Sequence, residues 1–206
     1  MIKKRIATIK RKTKETDIVL KITLDGEGKN KIDTPIGFLN HMLDAMSKHA
    51  LFNLELKAKG DIQVDDHHTV EDIGICLGKA IAEALKDKKS ITRFGNALVP
   101  MDEALCAAAI DISGRPFFSY GEEAIKFEKQ KSKIKGKEQA FDLQLIEEFF
   151  QALVLNSGIT LHVVIKRGKN LHHIYEAMFK AVGRALKVAV AYDAQVKGIP
   201  STKGAL

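Results

Sequence analysis

Residues 67–71 read HHTVE and residues 172–176 read HHIYE. These two copies of His-His-x-x-Glu, with His67, His68 and Glu71 in one and His172, His173 and Glu176 in the other, each open a stretch of helical apolar periodicity. At 3.6 residues per turn the glutamate lies i+4 from the first histidine and i+3 from the second, so all three side chains gather at one helix end. Adjacent helical residues point roughly 100° apart, so each histidine pair is better divided between two metal ions than used to chelate one. One triplet alone would read as a solvated helix start. Two in 206 residues predict a duplicated fold around a metal site.

The periodicity on either side supports the duplication. Period-two alternation marks strands at Ile18, Leu20, Ile22 and Leu24, at Leu54, Leu56 and Ala58, and at Leu161, Val163 and Ile165. Helical patterns run over about 37–49, 70–85, 141–155 and 173–190, with Asp66 as the expected N-cap of the second. The order is strand, strand, helix, strand, helix, repeated from about residue 90. This predicts a single α+β domain of two repeats, 1–89 and 90–192, with helices on one face of antiparallel sheet. The tail, 193–206, loses periodicity and gains Gly, Pro, Ser and Lys, which reads as a loop and a candidate phosphate clamp.

A hydrophobic content of 45% suits one compact domain or two halves sharing a core. No apolar run approaches a membrane span and the basic, alternating amino terminus lacks a signal-peptide core, so the expectation is a soluble cytoplasmic protein. Cys76 and Cys106 sit among apolar neighbours without CxxC spacing and read as buried, unpaired thiols. The net charge of +7 gathers in the first strand and in the lysine run 125–137, without a nucleic-acid motif, and the run reads as a solvated loop.

The first helix of each half extends the ligand search. His41 lies 26 residues before the first HHxxE and Glu148 lies 24 before the second, in quasi-equivalent positions. Glu148 shares a row with Phe141, Leu145, Ala152 and Leu155. A carboxylate there is either buried and in need of a metal or cation, or marks where the stripe meets water. His49 is either an acid/base candidate or a helix-terminal histidine favoured by the dipole. His162 projects from the strand face opposite Leu161 and Val163 and reads as structural or solvent-facing.

Taken together, GFLNHML, DIQVDDHHTVEDIGICLGKAI, PMDEAL, SGRPFF, GITLHV, LHHIYEAMFKAVGRAL and IPSTKGAL resemble the imidazoleglycerol-phosphate dehydratases, lyases of histidine biosynthesis, over nearly the whole chain. The resemblance implies a ribosomal-protein-S5-domain-2-like duplication, two manganese ions per active site, and a homo-oligomer of 24 chains with sites at subunit contacts. It implies His41, His67, His68, Glu71, His172, His173 and Glu176 as metal ligands, with Glu148 as the eighth where relatives commonly carry histidine. Glu147 is the neighbouring substitute. Asn40 stands where relatives carry aspartate. Arg93, Arg115, Lys180, Ser201 and Lys203 would bind the substrate phosphate, and Glu15 would be an acid/base, its alternative being a plain turn residue.

The implied reaction removes water from imidazoleglycerol phosphate to give imidazoleacetol phosphate. No carbonyl activates the C2 hydrogen, so a base alone is too slow. A metal on each ring nitrogen stabilises an imidazolate, which expels the C3 hydroxyl through a diazafulvene-like intermediate whose C2 proton is acidic. Two metals on opposite ring nitrogens account for two histidine pairs. A two-metal phosphoesterase would also use His and carboxylate clusters, but its usual excess of Asp is missing. A metal-binding shell protein or a basic nucleic-acid binder is the non-enzymatic alternative.

Overall fold

The structure is a computed structural model that describes residues 4–122, 133–135 and 140–206. Most of the lysine run 125–137 lies outside the described residues. The first half comprises β1 (Ile6–Lys12), β2 (Thr16–Thr23), β3 (Asn30–Asp33), α1 (Gly37–Ala50), β4 (Asn53–Gly60) and α2 (His67–Leu85). The second comprises β5 (Phe94–Met101), β6 (Ala104–Asp111), β7 (Phe117–Glu122), a hairpin of β8 (Lys133–Lys135) and β9 (Ala140–Asp142), α3 (Gln144–Ser157), β10 (Thr160–Arg167) and α4 (Leu171–Val190).

The two main sheets have the same topology, β1-β2-β4-β3 and β5-β6-β10-β7. Each main sheet therefore has one strand more than the periodicity suggests, and one parallel pair, β3 with β4 and β7 with β10. Both added strands are edges. β3 is short and half exposed throughout, so it has no buried side to print an alternating apolar pattern. A parallel neighbour needs a crossover, which α1 and α3 supply.

Each sheet buries one face. In β2, Ile18, Leu20 and Ile22 point into the core while Asp17, Val19 and Lys21 face outward. The helices lie between the sheets: α2 packs on β1 and β2, α4 on β5 and β6, and the two halves meet as α2 on α3 and α1 on α4. Phe149, Phe150 and Phe179 fill the centre, with ring centroids 4.9–5.7 Å apart. Cys76 and Cys106 are free and buried, as expected.

The helix pairs approach unusually closely because glycine sits at both crossings. A Cβ on Gly183 of α4 would overlap the Met46 carbonyl oxygen of α1, and one on Gly78 of α2 would overlap the Leu153 carbonyl oxygen of α3. Gly78 and Gly183 each follow the first histidine of their HHxxE by eleven residues, so the duplication extends to the crossing. Gly183→Ala should cost about 1–3 kcal/mol by forcing backbones apart. Chemical denaturation measures it, and stability equal to wild type would mean the crossing is less tight than described.

Candidate metal and substrate site

The HHxxE segments lie within the first turns of α2 and α4. Asn170 caps α4, its side-chain oxygen accepting from the His172 amide at 2.9 Å. At α2 the expected residue, Asp66, holds the N-cap position, its carbonyl accepting from the Val70 amide at 3.0 Å. Asp66 makes no side-chain cap bond. Its backbone is already helical and its side chain is buried, and Asp65 takes the His67 amide at 2.8 Å instead. Burial, reinforced by Asp65, pushes the Asp66 carboxyl above its ordinary range.

The α1–α4 crossing assembles one cluster. His41 Nε2 lies 3.5 Å and His172 Nε2 3.3 Å from the same oxygen of Glu176, and the three ligand atoms fall within 4.8 Å of one another. Two ligands about 2.1–2.2 Å from an ion and at near-right or tetrahedral angles stand about 3–3.6 Å apart. The donor set therefore fits a divalent cation, and mixed imidazole and carboxylate donors suit a transition metal such as manganese, zinc or iron. Lys180 Nζ holds the other Glu176 oxygen at 2.7 Å. Burial is the largest single influence on Glu176 and opposes its ionisation, but Lys180 and His41 together outweigh it and keep the carboxyl below its usual range.

The second histidine of each pair points elsewhere. The rings of His172 and His173 stand at 90°, and those of His67 and His68 at 79°. The two rings of each pair thus face different surroundings, as the angle between neighbouring helical residues requires. Each turned-away ring has a carboxylate on Nδ1: Asp61 on His68 at 3.0 Å and Glu103 on His173 at 2.8 Å. Such a carboxylate orients the ring and leaves Nε2 for a metal. Both histidines are raised above their ordinary pKa, chiefly by these hydrogen bonds. Glu103 is held down to about 2, by His173 first and then by the amides of Asn170 and Lys169.

Sequence reading missed Asp61 and Glu103. Both lie within motifs that mark the site, the loop before the first HHxxE and PMDEAL, but neither has ligand spacing. Only the fold sets Glu103, in the β5–β6 turn, against a helix start some seventy residues later.

The equivalent cluster on α2 is looser. His67 Nε2 lies 4.0 Å from Glu71, and among the described residues no third donor completes the group. The crossing nevertheless fixes the equivalence of position 148, since His41 precedes Met46 by five residues and Glu148 precedes Leu153 by five. Of the two readings of Glu148, the structure has the one in which the stripe meets water. α3 starts at Gln144, Phe141 belongs to β9, and Glu147, Glu148 and Leu155 are exposed, so the stripe ends at water there. Exposure does not separate Glu148 from His41, whose side chain is 47% exposed.

Asn40 is explained locally. Its carbonyl accepts from the Thr34 hydroxyl at 2.6 Å and its amide donates to the Thr34 carbonyl at 3.0 Å. An aspartate could not make the second bond. His49, in the last turn of α1, is half buried and held below its ordinary pKa by burial and then by Lys180 and Arg184. Glu15 sits in the β1–β2 turn, 4.0 Å from His68 Nδ1. His162 is exposed beside Phe117.

The basic residues separate into two places. Arg93 forks onto Asp111 at 2.7 and 3.0 Å and gives its remaining nitrogen to the Pro200 carbonyl at 2.8 Å, so it anchors the tail. The far end of the tail, Leu206, packs on Gly114 beside the exposed Arg115. Ser201 and Lys203 lie between, and the Ser201 hydroxyl accepts the Lys203 amide at 3.2 Å. Lys180 is not with them. It belongs to the His41–His172–Glu176 cluster.

Comparison with known proteins agrees with this geometry. A family profile described as imidazoleglycerol-phosphate dehydratase matches residues 34–186. The chain belongs to the imidazoleglycerol-phosphate dehydratase family. It is 54% identical over 202 residues to the dehydratase of Geobacillus sp. (strain WCH70), covering 98% of this chain and 99% of that one. It is 52% identical over 207 residues to that of Gluconobacter oxydans (strain 621H), covering both chains fully. Among solved structures, the Staphylococcus aureus dehydratase superposes with a TM-score of 0.78 at 39% identity, over 91% of this chain and 99% of that one. The Pyrococcus furiosus dehydratase superposes with 0.76 at 38%, over 96% and 100%. The enzyme is a metal-dependent lyase of histidine biosynthesis acting on a small molecule. Among the described residues no helix is long and apolar enough to cross a membrane.

Protons and metal compete for His68 and His173, so metal affinity of this dehydratase should fall as pH drops through their raised pKa values. Asp61→Asn should move the onset for its site down towards 6.5 and, at higher pH, weaken binding by about tenfold. Chelator competition across pH measures both. An unchanged profile would remove Asp61 from the site.

Proposed function

We propose that this dehydratase binds two ions of manganese type per active site and converts imidazoleglycerol phosphate to imidazoleacetol phosphate. The observation that carries the reading is the division of each histidine pair. His172 joins His41 and Glu176 in one cluster while His173 turns away at 90° with Glu103 behind it. His67 and His68 repeat the arrangement, with Glu71 and Asp61. Two half-sites of this kind suit a substrate ring with two nitrogens, each reached from a different side.

Bound metal supplies Lewis acidity at the ring nitrogens and so makes the ring able to expel the C3 hydroxyl. The chain's own groups do the rest. His41, His172 and Glu176 would hold one ion, and His67 and Glu71, with Glu148, would contribute to the other. Asp61 and Glu103 keep the Nε2 atoms of His68 and His173 directed outward. Glu15 is the candidate to move the proton at C2, because it is a carboxylate beside the first turn of α2. His49, whose pKa burial and then Lys180 and Arg184 lower, is a second acid/base candidate. Arg115, Ser201 and Lys203 would meet the phosphate, with Arg93 anchoring the tail that carries two of them and Lys180 reaching in from the metal end.

Among the described residues, His68, His173, and His67 with Glu71 join no group of three donors that would close a coordination sphere. Sites completed by ligands from neighbouring copies, in an assembly of 24 chains, account for this. The two repeats and the tail make one dehydratase domain, working in the cytoplasm.

The direct test incubates the protein with imidazoleglycerol phosphate and manganese and follows the enolisable ketone while assaying free phosphate. Ketone formation with phosphate retained, at two ions per chain by elemental analysis, is the expected result. Phosphate release would mean a phosphoesterase, and one ion at saturation would end the two-site reading.

The phosphate end should be separable from the metal end. Lys203→Ala should keep the metal content and assembly and lower kcat/KM about ten- to hundredfold, the loss expected for one charge-assisted contact of roughly 1.5–3 kcal/mol. Unchanged kinetics in an assembled protein would remove the tail from phosphate binding.

A further inference from the structure

The turn between β1 and β2 is held by contacts that the site described above does not use. Its amides fold back on Thr13: the Thr13 hydroxyl accepts from the Glu15 amide at 3.1 Å and from the Thr16 amide at 2.9 Å, and the Thr13 amide donates to the Thr16 carbonyl at 2.9 Å. Glu15 is left at the tip, its side chain 53% exposed. Beneath the turn lies Asp72, only 5% exposed. It follows Glu71 by one residue on α2, so it points roughly 100° away from the metal face.

Asp72 joins both sides of the turn. One oxygen takes Arg11 Nη2 from the end of β1 at 2.8 Å, and the other takes the Thr16 hydroxyl from the start of β2 at 2.5 Å. The helix comes this close because Gly60, paired with Thr16 across β4, has no side chain; a Cβ there would overlap the Thr69 hydroxyl. Burying an ion pair in such a place seldom gains net stability over apolar filling. Arg11 Nε is itself buried without a hydrogen-bond partner, so the guanidinium is committed to its carboxylate at some cost. What the arrangement does provide is a fixed distance between the turn and the first turn of α2.

We propose that Asp72, with Arg11 and Thr16, is a positioning group that clamps the β1–β2 turn onto α2 and so sets the reach of Glu15 over His68. The inference rests on the reading of Glu15 as the group that moves the substrate proton. A loose turn would leave metal and substrate binding intact and misplace only the carboxylate, and an error of about 1 Å in such a group is enough to cost on the order of a hundredfold in rate.

The test compares Thr16→Val, Asp72→Asn and Arg11→Lys in the assembled, manganese-loaded protein. The expected result for Thr16→Val and Asp72→Asn is a fall in kcat of about ten- to hundredfold with KM and metal content unchanged, Arg11→Lys falling less than Arg11→Ala. Amide exchange at residues 15 and 16 should quicken while exchange within α2 stays as in wild type. In a Glu15→Gln background, Thr16→Val should lower kcat no further, because the clamp acts only through Glu15. Additive losses in that background, or a loss that tracks weakened metal binding, would overturn the proposal. If Asp72→Asn does not fold, Thr16→Val decides, since it removes one hydroxyl at equal volume. A wild-type protein inactive on the substrate would defeat the functional reading alone; unchanged exchange at residues 15 and 16 in Thr16→Val would defeat the clamp itself.

Discussion

Backbone meets backbone where α4 crosses α1 and where α2 crosses α3, and the site depends on those two contacts. With Gly183 against the Met46 carbonyl and Gly78 against the Leu153 carbonyl, helices from different repeats come close enough for side chains at their amino-terminal ends to share a ligand. His41 belongs to the first repeat and His172 and Glu176 to the second, yet they lie within 4.8 Å. Any larger residue at the glycines would widen the crossing and part the donors before it unfolded the core.

Charge is managed in pairs around that geometry. Glu176 has Lys180 on one oxygen and the histidines on the other. His68 and His173 each have a carboxylate behind the ring, drawn from a different place in the fold, Asp61 from the loop after β4 and Glu103 from the β5–β6 turn. The repeats have thus reached the same chemical solution by different residues, which suggests that the demand is on the ring's orientation and not on sequence. Arg93 shows the same economy at the tail. It holds a left-handed backbone, φ 72°, while its side chain joins Asp111 to Pro200.

The duplication is regular in topology and irregular in chemistry. His41 and Glu148 occupy matching places relative to the helix crossings, but among the described residues only the His41 side closes into a three-donor cluster.

Sequence alone determined the duplication, the four helices, the histidine pairs and their division between two directions, because these follow from local periodicity and the angle between neighbouring helical residues. It also determined the family, since ordered motifs span nearly the whole chain. It left open what depends on where a helix starts and what covers it. Asp66 holds the cap position while Asp65 supplies the side-chain bond, and Glu148 proved exposed, at the edge of a stripe that includes the buried Leu145 and Ala152. The edge strands β3 and β7 carried too little buried surface to show. The Lys180–Glu176 pair, at i,i+4 on one helix, was already open to spacing. Only the tertiary structure brought Asp61 and Glu103 behind the histidines and closed Arg11, Thr16 and Asp72 under Glu15. Each of those contacts joins residues from separate elements or a side chain to a neighbour whose rotamer the packing sets, and neither spacing nor composition encodes that.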